Sequence, residues 1–73
     1  MTNLQAFIEQ QKEKISKLPK SKQEKATVDL RDWVKSYITA RQLGYSKETL
    51  TKILNARNSI HASNILVDAR RTS

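Results

Sequence analysis

Leu4, Ile8, Gln11, Ile15 and Leu18 recur at spacings of four, three, four and three, with Phe7 widening the stripe. This is the rhythm of one face of an α-helix. Glu9, Lys12, Glu13, Lys14 and Lys17 fill the places between as a solvated face, on which Glu13 and Lys17 stand one turn apart for an ion pair. A helix is predicted over 3–18, ending at Leu18-Pro19 because the residue before a proline is pushed out of the helical region. Two heptads are too short for a stable coiled coil alone. The N-terminal arm, 1–20, is therefore expected to pack on its own domain, with a dimerising arm as the alternative.

Ser21-Lys22-Gln23-Glu24 has the form of a capping box. After it Ala26, Leu30, Trp33, Tyr37 and Ala40 carry the same rhythm, broadened by Val34, Ile38 and Leu43. This predicts either one helix over 22–43 or two bent near Lys35-Ser36. Gly44, the only glycine, follows at once, as a left-handed helix cap requires. Ser46 is placed to cap a third helix, 46–57, with Leu50, Ile53 and Leu54 on its apolar side. A fourth, 60–70, carries Ala62, Ile65, Leu66 and Ala69 and is entered through Asn58-Ser59. The expected fold class is all-α: a bundle of about four helices without a sheet, forming a single domain over 1–73, with 68–73 a linker or truncated end.

Composition sharpens this picture. One glycine and one proline are too few for a chain that turns every few residues, and no cysteine with a single histidine, His61, excludes disulfides and the usual zinc constellations. No metal, cofactor or small-molecule ligand is expected. No nucleophile with a base, no paired carboxylates and no glycine-rich phosphate loop occurs, so an enzyme is not expected. Fourteen Lys and Arg against seven Asp and Glu leave a net charge of +7, which points to a polyanion, nucleic acid before an anionic membrane. Glu9 and Glu13 weaken the membrane option by mixing the sign of the first helix's polar face. With no leader or spanning segment visible, a cytoplasmic protein is expected. The six lysines from Lys12 to Lys25 read as a solubilising face, the functional alternative being extra phosphate contacts or a grip on a neighbouring protomer's DNA.

The run from Ile38 to Asn55 concentrates the candidate chemistry. Ala40 is small where a second helix crosses, Gly44 supplies the turn, Tyr45, Leu50 and Ile53 seal the angle, and Ser46 starts the next helix. This segment resembles the helix-turn-helix of bacterial and phage repressors. Ala40 to Asn55 is especially similar to the headpiece of the lactose-repressor family: Ala, three residues, Gly, apolar, Ser, two residues, Thr, apolar, Ser or Thr, basic, two apolar, Asn. All those places are filled. Some 35 residues precede the motif here, and Thr39 stands at an apolar place of its first helix. Small-molecule induction and that family's manner of dimerising are not carried over.

The resemblance implies that the helix from Lys47 to Asn55 lies in the major groove of double-stranded DNA. Lys47, Glu48 and Lys52 are then the candidate base-reading residues, Lys donating to guanine and Glu48 accepting from cytosine. Glu48 equally suits the first turn of a helix through the helix dipole. Tyr37, Ser46, Thr49, Thr51 and Asn55 are candidate phosphate contacts, with Arg57, Asn58 and His61 beyond the helix. Trp33, at core spacing, reads as a packing residue, and Arg41 as an outer-face residue. The implied activity is sequence-specific DNA binding, as a transcriptional repressor or a plasmid or phage maintenance factor. One protomer would read about four to six base pairs, so a homodimer or several protomers on repeated half-sites are the expected partners. The alternatives are a helical protein- or RNA-interaction module and the DNA-recognition appendage of a recombinase.

Overall fold

A computed structural model describes residues 3–72 as four helices: α1 Asn3–Ser16, α2 Lys20–Gln42, α3 Lys47–Leu54 and α4 Ser59–Thr72. Among the described residues there is no strand. The all-α bundle expected from the hydrophobic rhythm is the fold observed. Met1, Thr2 and Ser73, at the two ends of the expected domain, lie outside the described residues. α4 continues through Thr72, so 68–72 is helix rather than linker.

α2 is one continuous helix of 23 residues, about 34 Å at ~1.5 Å per residue, against a longest molecular extent of 41 Å. Neither proline nor glycine interrupts it, and the alternative bend near Lys35-Ser36 is absent. The expected capping box at Ser21 is not formed. Pro19 is the N-cap instead, at φ −56° and ψ 148°, and its carbonyl accepts from Lys22 N at 2.8 Å and Gln23 N at 3.1 Å. Starting the helix at Lys20 already places Ser21 inside the first turn, where the amide three residues on belongs to the helix ladder. Gln23 Nε2 reaches back to the Leu18 carbonyl at 3.0 Å and closes the α1–α2 corner.

The core is small and centred on α2. Leu30, Trp33, Tyr37 and Ala40 are buried against Phe7 of α1, Ile53 of α3, and Ala62 and Leu66 of α4. Phe7 and Trp33 meet edge to face, centroids 4.8 Å apart at 65°, a favoured aromatic geometry. Phe7 is thus the anchor of α1, while Leu4, Ile8 and Ile15 of its heptad seam are only half-buried beside it. α1 packs on α2 of its own chain. The Glu13–Lys17 pair forms at 3.8 Å on the outer face, where such pairs contribute little.

On the other side of α2, α3 and α4 pack on it and on each other. Asp29 accepts from the backbone N–H and the hydroxyl of Ser59, at 3.3 and 2.5 Å, and so fastens the first turn of α4 to mid-α2. Between α1 and α2 the surface keeps an apolar groove of about 530 Å³ that includes Ile8, Leu30, Val34 and Ile38. Lys12, Arg31 and Lys35 stand around it.

Candidate nucleic-acid interface

α2 and α3 meet through a four-residue connection, Leu43 to Ser46, whose backbone is fully determined. Gly44 has φ +82°, the left-handed conformation that side chains resist. Around it Gly44 N donates to Arg41 O at 3.1 Å and Tyr45 N to Ala40 O at 3.2 Å, the paired bonds of a Schellman cap. Ser46 then caps α3 from an extended backbone, its hydroxyl accepting from Thr49 N at 3.4 Å. Turn and cap lie within three residues of each other, so α3 leaves α2 in a fixed direction.

One side of α3 is locked into the body of the protein. Ile53 and Ala40 have no exposed surface, Leu50 and Leu54 are half-buried, and Trp33 Nε1 donates to Ile53 O at 2.7 Å. That bond satisfies a carbonyl at the end of α3 and fixes its roll about its own axis. The opposite side is polar: Lys47, Glu48, Thr51, Lys52 and Asn55 are all exposed and fall within one stripe of the helix. Ser46 stands exposed at its head and Arg57 just past its end.

The remaining sequence candidates are placed differently. Tyr37 is buried in the core at 8% exposure, away from the α3 stripe. Thr49 is half-buried, its hydroxyl 3.3 Å from Ser46 Oγ, beside a cleft that Lys52 shares with Asp68 of α4. Asn58 is the N-cap of α4, Oδ1 accepting from His61 N at 2.9 Å, and His61 Nδ1 accepts from Arg57 N at 3.4 Å. These two side chains thereby shape the α3–α4 corner. Glu48 occupies the first turn of α3, and Arg41 is exposed near the end of α2. Tyr45 is half-buried against the core, as a sealing residue at that corner.

The lysines from Lys12 to Lys25 are open to a phosphate-contacting role, but sequence spacing does not bring any of them beside the stripe. A cleft of about 490 Å³ runs between α1 and the C-terminal end of α3. Buried Phe7 and Trp33 and half-buried Leu54 line it together with Gln10 and Lys14 of α1, Thr51 and Asn55 of the α3 stripe, and Arg57. No acidic residue lines it.

Among the described residues no helix is long and apolar enough to cross a membrane, and no three metal-binding side chains cluster. In comparison with known proteins, no family model, no curated protein and no solved structure matches this chain.

Proposed function

We propose that this chain binds double-stranded DNA sequence-specifically, α3 entering the major groove, and acts by occupancy as a transcriptional repressor or a plasmid or phage maintenance factor. The observation that carries this is the division of α3 into a locked apolar side and an exposed stripe of Lys47, Glu48, Thr51, Lys52 and Asn55. A helix whose roll is fixed by Ile53 and Trp33 can present a constant donor and acceptor pattern to base edges, which is what groove readout needs. Net charge of +7 supplies the sequence-independent attraction to phosphate. Lys47, Glu48 and Lys52 are assigned to bases, and Ser46, Thr51, Asn55 and Arg57 to the backbone. Two or more protomers on repeated half-sites supply the specificity that one short helix lacks.

Selection of bound sequences from a random duplex library, then titration of the winner against scrambled DNA at two salt concentrations, tests the assignment. A repeated motif with a specific-to-nonspecific ratio of ~10³ or more is expected. Binding that depends on salt alone, with no motif, ends it.

One observation favours a second reading, a module that holds another protein's helix. The apolar groove of Ile8, Leu30, Val34 and Ile38 is flanked by Lys12, Arg31 and Lys35, a lining suited to an acidic amphipathic helix. Its signature is DNA binding indifferent to sequence alongside saturable binding of such a helix.

A further inference from the structure

The cleft between α1 and α3 is distinct from the α3 stripe yet opens beside it, since Thr51 and Asn55 belong to both. Its lining is mixed. It joins apolar side chains, Ala6, Leu54 and Ala56 among them, to the amides of Gln10 and Asn55, the hydroxyl of Thr51 and the cations Lys14 and Arg57. Neither cation has a carboxylate beside it in the cleft. The partial negative charge of the α3 C-terminus is blunted at Ile53 O, which accepts from the indole of Trp33 and from Ala56 N at 3.3 Å.

A lining that mixes apolar side chains with neutral donors and two cations matches a sugar-phosphate strand. Its sugars present C–H surface and its phosphates take charge-assisted bonds. A compact anion would use the cations and leave the apolar side chains uncovered.

We propose that the cleft seats the DNA strand bordering the groove that α3 enters, with Lys14 and Gln10 of α1 and Arg57 of the α3–α4 corner holding its phosphates. This rests on the major-groove reading and deepens it. It makes α1 a second wall of the DNA interface, positioned by the Phe7–Trp33 contact, rather than a dimerising arm. Gln10 and Lys14 lie one turn apart on α1, so they follow consecutive positions along one strand.

Affinity of the full chain for its selected duplex is measured across a range of salt, for the wild type and for Lys14→Ala, Arg57→Ala and Arg71→Ala. Arg71 is the control, since it is exposed on α4 and lines neither of the two grooves beside α1. Far-UV circular dichroism melting confirms that all four are folded. Lys14→Ala and Arg57→Ala are each expected to lower the slope of log K against log salt by about 0.9 and leave base preference intact, and Arg71→Ala to change neither. Unchanged slopes in both cleft variants, with wild-type preference retained, overturn the cleft assignment and spare the major-groove reading. Lowered slopes in a protein without base preference uphold the cleft and overturn that reading. A wild type with no affinity for duplex DNA ends both.

Discussion

The carboxylate of Asp29 accepts two hydrogen bonds from a single residue, Ser59, although the two stand 30 positions apart in the chain. Ser59 is 8% exposed, so without Asp29 both its hydroxyl and an amide at the first turn of α4 lose their partner away from water. Asp29→Ala is expected to destabilise the fold by about 2 kcal/mol and Asp29→Asn by less, read from the midpoint of urea unfolding. An Asp29→Ala protein as stable as its parent would remove the role assigned to this pair.

At Gly44 nothing lies within 4 Å of where a Cβ would stand, so space is not what holds glycine there. Only the φ of +82° does. Gly44→Ala is expected to cost about 1 kcal/mol, while D-alanine introduced by chemical synthesis restores or exceeds wild-type stability. Equal melting temperatures for the two alanine enantiomers would show that the turn relaxes out of the left-handed region.

Trp33→Phe keeps an aromatic ring but removes the donor to Ile53 O. Because the carbonyl is buried, the loss is expected at about 1 to 3 kcal/mol. Amide hydrogen exchange should show the effect unevenly, with protection falling first in α3, whose end that bond fastens. A uniform fall across all four helices would mean that the indole contributes only bulk.

Glu48 is the single acid on the exposed stripe of α3. Under the proposed function Glu48→Gln is expected to raise affinity for every duplex, by removing a negative charge near phosphates, and to relax preference at one base-pair position by ~1 to 3 kcal/mol. A gain in affinity with preference unaltered would reduce Glu48 to an acid favoured by the helix dipole.

Much of the fold was legible because its determinants are local. Pro19 closes one helix, Gly44 and Ser46 bracket one turn, and the spacing of Leu30, Trp33, Tyr37 and Ala40 marks the inner face of α2. What escaped depends on contacts between distant residues. The side of α1 that faces inward is decided by Phe7 on Trp33, and only that choice brings Lys14 beside α3. The bond from Asp29 to Ser59 has no local signature at all. Ser21 failed as a cap because two start signals overlapped and the earlier, at Pro19, prevailed. Tyr37 was open to a better reading: its place in the core rhythm, between Trp33 and Ala40, outweighs its hydroxyl. Asn58 and His61 stand three residues apart, the spacing of a cap and the amide it accepts, and that spacing accounts for them before any ligand is invoked.

Trp33 is the chain's only tryptophan, and it sits where α1, α2 and α3 converge, 6% exposed in the lining of the cleft. All the indole fluorescence of this protein therefore originates at one point. Its emission wavelength reports whether that point is dry, and its intensity responds to whatever enters the cleft it lines. Unfolding of α3, departure of α1 and arrival of a ligand would each be visible to an unlabelled sample, because the residue that fastens the helices together is also the one that emits.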